Sequence, residues 1–171
     1  MNYRKKLKEI KALLFDVDGV FSREFFAVES GEFHRIMNAK DGFALKYAVK
    51  KGFLTGIITG GTAESVRERF KQLGVTDVYL GAYDKKEAFD DFCAKYDLNK
   101  KEVLYMGDDL PDYEVLKDVG FAACPADAAN EIIEIVDYIS ELKGGEGCVR
   151  DIVEQVMKVQ RKWDVKDFVF K

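Results

Sequence analysis

The chain has 171 residues, of which 27 are Lys or Arg, 31 Asp or Glu and one His, for a net charge of −4. That length suits one ordinary domain with a full hydrophobic core, and 47% hydrophobic with 34% charged residues is a globular balance. The acidic balance argues against nucleic acid, no run approaches the roughly 20 apolar residues of a membrane span, and a lone histidine excludes a His-rich metal site.

The basic start Met1 to Lys6 leads into no apolar run, so no secretory leader is expected. Cys93, Cys124 and Cys148 are widely spaced, without a CxxC, and read as reduced thiols of a cytoplasmic protein. Ala12 to Phe15 is the first compact apolar run and predicts a buried strand. Phe25 to Ile36 follows as a hairpin turning at Ser30-Gly31, with Phe25, Ala27, Phe33 and Ile36 expected on one apolar face. Asp41 is placed to cap a helix carrying Ala44, Tyr47 and Ala48 and ended by Gly52. Phe53 to Ile58 predicts the next strand, and Thr62 a cap for a helix with Val66, Phe70 and Leu73 on its stripe. After a strand at Val78 to Leu80, Asp84 and Glu87 resemble a capping box for a helix burying Ala88, Phe92 and Tyr96. Val103 to Met106 is a strand, Pro111 suits the first turn of a short helix, and Phe121 to Ala123 is a strand. Asp127 is read as opening a helix with Ile132, Ile133 and Val136 inward. The last segment, Cys148 to Trp163, is amphipathic, followed by a tail ending Phe168-Val169-Phe170.

Strands separated by helices imply parallel pairing, hence an α/β three-layer sandwich with the hairpin at about 21–37 inserted after the first strand. One domain over 1–171 is expected, its C-terminal helix and tail at about 148–171. Open α/β sheets bind ligands at the carboxyl ends of their strands. Asp16, Thr59, Lys85 and Asp108 all lie at or just after such ends. Asp16 and Asp18, two apart in extended chain, can face one space. With Asp108 beside them their repulsion calls for a hard, oxygen-seeking cation such as magnesium. That ion would offset phosphate charge and let an aspartate attack an anionic ester. Asp16 is then a nucleophile forming an aspartyl-phosphate, and Asp18 the acid and base of its two halves. Thr59, with the Gly60-Gly61 backbone, offers hydrogen bonds to phosphoryl oxygens, and Lys85 a cation to hold Asp16 and phosphate together.

Taken in order, Asp16-Val17-Asp18-Gly19-Val20, Thr59-Gly60, Lys85 and Gly107-Asp108-Asp109 followed by Asp112 resemble the four motifs of the haloacid dehalogenase superfamily of phosphatases. Over roughly residues 10 to 160 the segments Asn38 to Gly42, Val66 to Arg69, Ala126 to Ala128 and Gly144 to Arg150 are similar to its cap-less subgroup. The 3-deoxy-D-manno-octulosonate 8-phosphate phosphatases of lipopolysaccharide sugar synthesis typify that subgroup. The resemblance implies magnesium held by Asp16, the Asp18 backbone carbonyl and Asp108, with Asp109 and Asp112 supporting. It implies substrate contacts from Asn38, Lys40, Asp41, Gly42, Lys46, Gly60, Gly61, Arg69 and Lys85. It also implies a homotetramer in which a neighbouring subunit covers the site, and a sugar-acid phosphate as substrate. The eight-carbon octulosonate 8-phosphate is the first expectation, a nine-carbon sialic-type 9-phosphate the alternative. One departure stands out: where the family often reads Thr-Gly-Arg, this chain has Thr59-Gly60-Gly61. Only about twenty residues separate Gly19 from Asp41, enough for a hairpin and too few for a lid domain.

Overall fold

A computed structural model describes residues 3–168 of the chain. In order it contains α1 (Tyr3–Glu9), β1 (Ala12–Phe15), β2 (Ser22–Ala27), β3 (Phe33–Met37), α2 (Ala39–Lys50), β4 (Leu54–Ile58), α3 (Glu64–Gln72) and β5 (Asp77–Tyr79). Then follow α4 (Lys85–Lys95), β6 (Val103–Met106), α5 (Tyr113–Asp118), β7 (Phe121–Cys124), α6 (Asn130–Ile133), β8 (Tyr138–Ile139) and α7 (Cys148–Val159). Six strands form one sheet in the order β5-β4-β1-β6-β7-β8, every pairing parallel. β2 and β3 form a separate antiparallel ribbon. The expected α/β three-layer architecture with a hairpin insertion and no cap is therefore the one present.

β1 is the middle of the sheet: Ala12 pairs with Leu54 on one side and with Val103 on the other. All four of its residues are buried, because a parallel strand is covered on both faces. Leu13 and Phe15 point into the core made with α1, α2, α3 and α7, while Ala12 and Leu14 point into the core made with α4, α5 and α6. α7 carries Val149, Ile152, Val153 and Val156 on one buried stripe and packs mainly along α2. Beyond it, Trp163 meets Tyr47 of α2 edge-on and Phe168 packs against the same ring at a tilt, so the described part of the tail lies on the body. Val169 and Phe170 fall outside the described residues.

Several expected caps are reassigned. α2 begins three residues before the expected opening, at Asn38, whose side chain accepts the Lys40 N–H at 2.8 Å. Asp41 sits inside the first turn, fully buried, and accepts the Arg150 N–H at 2.8 Å, so its carboxylate serves the start of α7. Its second oxygen has no hydrogen-bond partner among the described residues, and burial pushes its pKa up to about 6. Ala63, not Thr62, stands at the N-cap of α3, without a side-chain bond. Asp127 does not open α6. Its carboxylate receives the Gly144 N–H at 2.9 Å and ties the 143–147 loop to the sheet. Asp84 caps α4 as expected, accepting from the N–H groups of Lys86 and Glu87.

The hairpin register also differs from expectation. Phe25 faces Arg35, Phe26 faces His34 and Ala27 faces Phe33, so Phe25, Ala27, Phe33 and Arg35 share one face. Ile36 lies on the opposite face with Phe26 and His34. A register irregularity between Ser22 and Phe25 shifts the ribbon relative to simple alternation from the first strand.

Candidate active site

Three strand ends and one helix start converge at the carboxyl edge of the sheet. Asp16 leaves β1, Thr59 leaves β4, Asp108 leaves β6 and Lys85 opens α4. They line a cleft of about 500 Å³ with Asp18, Gly19, Gly60, Gly61, Asp109, Asp112, Arg23, Ala82, Tyr83 and Pro111. The cleft is open, and Tyr83 and Leu110 stand exposed beside it.

At its floor is a buried polar network. Lys85 Nζ lies 2.9 Å from Asp16 Oδ2 and 2.7 Å from Asp112 Oδ1. Tyr105 donates its hydroxyl to the same Asp112 oxygen at 2.6 Å. The other Asp112 oxygen receives the N–H groups of Asp108 at 3.0 Å and Asp109 at 3.4 Å. Asp112 thus holds a lysine, a tyrosine and the loop after β6 at once. Its lone pairs are occupied, which fits it to position other groups rather than to coordinate an ion.

Asp16 receives the Val17 N–H on its other oxygen at 2.7 Å. Burial, followed by the Asp112 charge, pushes its pKa well above the carboxylate range, although Lys85 opposes the shift. Burial and Asp112 likewise raise Asp108, to about 7. Burial lowers Lys85, but Asp16 and Asp112 outweigh it and leave the ammonium held above its ordinary value. Carboxylates that resist ionisation unless charge is supplied are what a divalent cation would satisfy. One oxygen each of Asp16, Asp108 and Asp112 lies within 4.8 Å of the others. Because Asp112 is already occupied, Asp16 and Asp108 are the groups free to face a magnesium ion. Gly19 permits this: its φ is +87°, and a Cβ there would fall 1.9 Å from Asp108 Oδ2.

Thr59 is buried, and its hydroxyl accepts the Gly61 N–H at 3.1 Å, leaving the hydroxyl proton to donate elsewhere. Asp18 lines the same cleft, but its carboxylate is held by the hairpin and is not one of the three grouped carboxylates. Arg35 donates to both its oxygens, Nε at 2.6 Å and Nη2 at 3.0 Å, and Ser22 Oγ adds a contact at 3.3 Å. Its backbone bridges to Ser22, and Gly19 N–H donates to Ser22 O at 2.6 Å, so the chain reverses tightly here. Asp109 is exposed and closes a short capping turn with Asp112.

Of the expected substrate contacts, Gly60, Gly61 and Lys85 line the cleft; Asn38, Lys40, Asp41, Gly42, Lys46 and Arg69 do not. Asn38 and Asp41 are engaged in capping, and Lys40 and Lys46 are exposed on α2. Gly42 is buried beneath Arg69, which borders a second, smaller groove with Phe33, His34 and Arg35. Arg35 and Tyr105 escaped the sequence reading. Tyr105 belongs to an apolar strand and reads as core, and Arg35 depends on the hairpin register.

A family model described as haloacid dehalogenase-like hydrolase matches residues 75–150. The 3-deoxy-D-manno-octulosonate 8-phosphate phosphatase of Escherichia coli K12 is 35% identical over 160 residues, which cover 93% of this chain and 85% of that one. A crystal structure of the phosphatase of that name from Yersinia pestis matches with a TM-score of 0.90 at 31% identity, over 93% of this chain and 86% of that chain. Another, from Moraxella catarrhalis in complex with magnesium, phosphate and KDO, matches with a TM-score of 0.92 at 30% identity, over 98% and 97% of the two chains.

Proposed function

Because the chain belongs to the haloacid dehalogenase-like hydrolases and is a phosphomonoesterase of the cap-less subgroup, we propose that it hydrolyses 3-deoxy-D-manno-octulosonate 8-phosphate to the free sugar acid and phosphate. The observation that carries the chemistry is the placement of Lys85 between Asp16 and Asp112, with Asp108 alongside, at the sheet edge.

Asp16 is the nucleophile: one carboxylate oxygen attacks phosphorus and the sugar alkoxide leaves, giving an aspartyl-phosphate. Asp18 delivers a proton to that alkoxide, then removes one from the water that cleaves the acyl phosphate. Lys85 keeps Asp16 in place and faces the charge that spreads over the phosphoryl oxygens. The Thr59 hydroxyl, oriented by the Gly61 N–H, donates to one of those oxygens. A magnesium ion, when bound by Asp16, Asp108 and the Asp18 carbonyl, supplies positive charge that offsets the repulsion between carboxylate and phosphate. Asp112 and Tyr105 hold the frame without touching substrate.

The open cleft leaves this chemistry in contact with water, a poor setting for phosphoryl transfer. The proposal therefore includes a homotetramer in which hairpins meet and a neighbour covers the site, supported by exposed Phe25, Phe26, Phe33 and Ile36. Contacts to substrate from Lys40, Lys46 and Arg69 belong to that assembly, since none of them lines the cleft of its own chain. A fully active monodisperse monomer would refute this part.

The test is phosphate release with magnesium from the eight-carbon and the nine-carbon sugar-acid phosphates, with Asp16→Asn as control. Preference for the eight-carbon ester, lost by at least about 10⁴-fold in the control, is the expected result. Preference for the nine-carbon ester keeps the mechanism and moves the substrate to the sialic-type acids.

A further inference from the structure

Arg35 occupies an unusual place for a hairpin residue. Its side chain is 9% exposed while the ribbon around it is largely open to solvent. The guanidinium engages Asp18 through two nitrogens, contacts the Phe33 carbonyl at 3.4 Å and lies 5.8 Å from the centre of the Phe25 ring. It also lies against the loop after β4, where a Cβ on Gly61 would come within 2.9 Å of its Nη2. Three separate segments, the turn after β1, the loop after β4 and the hairpin, are therefore joined at this one group.

The geometry differs from that of the other ion pairs on this rim. Arg23 and Glu146, nearby, are each about half exposed, and such pairs contribute little. The Arg35 fork meets both oxygens of one carboxylate, an arrangement that fixes orientation as well as distance. The turn from Val17 to Ser22 settles where the Asp18 backbone stands, but leaves the side-chain torsions to be set by whatever holds the carboxylate.

We propose that Arg35 is a positioning residue for Asp18, and that position 61 is a glycine because the guanidinium needs its space. The proposal rests on the assignment of Asp18 as acid and base. Through this contact the hairpin, an element with no catalytic group of its own, determines where the proton donor stands relative to the leaving oxygen. Loss of Arg35 leaves the nucleophile, the Lys85 bridge and the metal-facing carboxylates in place and affects proton delivery alone.

The experiment compares an alkyl ester, 3-deoxy-D-manno-octulosonate 8-phosphate, with 4-nitrophenyl phosphate, whose leaving group departs without a proton. For the aryl ester the readout is the burst of nitrophenolate, which reports only formation of the aspartyl-phosphate. Arg35→Ala is expected to lower kcat on the sugar phosphate by about 10²-fold with KM within about two-fold, since misplacement near 1 Å carries that penalty. The burst is expected to stay within about three-fold of the wild-type rate. Arg35→Lys restores part of the loss, and Gly61→Ala, which displaces Nη2, gives a smaller loss of the same pattern. Equal loss on both esters, or loss on neither, overturns the proposal. Asp18→Asn is run alongside. Normal turnover in that variant removes the acid–base assignment and this inference with it, whereas inactive Asp18→Asn with unimpaired Arg35→Ala overturns the inference alone.

Discussion

The floor of the cleft and the hairpin above it are built on opposite principles. Phe15 and Phe21 are buried, whereas Phe25, Phe26 and Phe33, a few residues further on, are each about half exposed. Polar groups reverse the pattern: Asp16, Asp112, Thr59 and Lys85 are buried under the sheet edge, the two carboxylates joined through Lys85 and Thr59 tied to Gly61, while His34 and Glu32 are exposed at the ribbon. In the floor each polar atom has a partner because an unpaired one would cost about 1–3 kcal/mol there. On the ribbon water does that work, and the apolar rings are left for another surface. Chemistry is thus carried by the buried, mutually bonded part, and contact with the outside by the exposed rings.

Substitutions that strip the floor should have the largest effects. Lys85→Ala leaves Asp16 and Asp112 buried together without their shared cation. Turnover should fall by about 10²–10³-fold. Stability should fall by about 3 kcal/mol or more without metal, as when one partner of a buried pair is removed. Steady-state kinetics read the first and denaturant titrations without metal the second, and an unchanged midpoint would mean that the floor is not organised around Lys85.

A second effect depends on pH. Asp108 titrates near 7 in the folded chain against about 4 unfolded, so folding favours its protonated form. The stability it contributes is complete below the unfolded value and is lost as pH rises through about 7. In a chelator, the thermal midpoint of the wild type should therefore decline relative to Asp108→Asn between about pH 4 and 7. Magnesium, which needs the ionised carboxylate, should bind more tightly as pH rises across the same range and level off above it. Parallel midpoint curves for the two proteins would contradict this account.

Tyr105→Phe removes one donor from Asp112 and leaves the rest of the floor intact. The expected stability loss is about 1–2 kcal/mol with a loss of a few-fold in kcat, read by denaturation and steady-state kinetics. The smallest intrinsic effect belongs to the ribbon: Phe33→Ser should alter monomer stability by no more than about 0.5 kcal/mol. Sedimentation velocity should nevertheless show the assembly weakened. An unaltered oligomer would place the contact elsewhere.

The same contrast governs what could be read in advance. Apolar runs bounded by caps marked β1, β4, β5, β6 and β7 to within a residue or so, because buried parallel strands leave a continuous signal. The two-residue β8 and the basic α1 carry no such signal. The charged residues of the floor, though not Tyr105, were legible because strand-end carboxylates and a lysine in that order have few structural uses together. The caps were harder: whether Asp41 caps its own helix or α7 depends on which N-terminus reaches it in three dimensions. Arg35 was out of reach for a related reason, since a ribbon's register, set by one irregularity near Ser22, decides which side chains face inward.

The central position of β1 carries a consequence for synthesis. The strand bearing the nucleophile precedes both of its sheet neighbours in the chain, β4 and β6, with Leu54 and Val103 opposite Ala12. Asp16 consequently waits, without the shared Lys85–Asp112 contact, until β6 and the turn after it have emerged. A nascent chain halted before β6 would hold the first three motifs but lack Asp108 and Asp112, and pairings of such long sequence separation are the slow ones to form. The site is complete only once β6 stands beside β1 and brings Asp108 and Asp112 to the sheet edge.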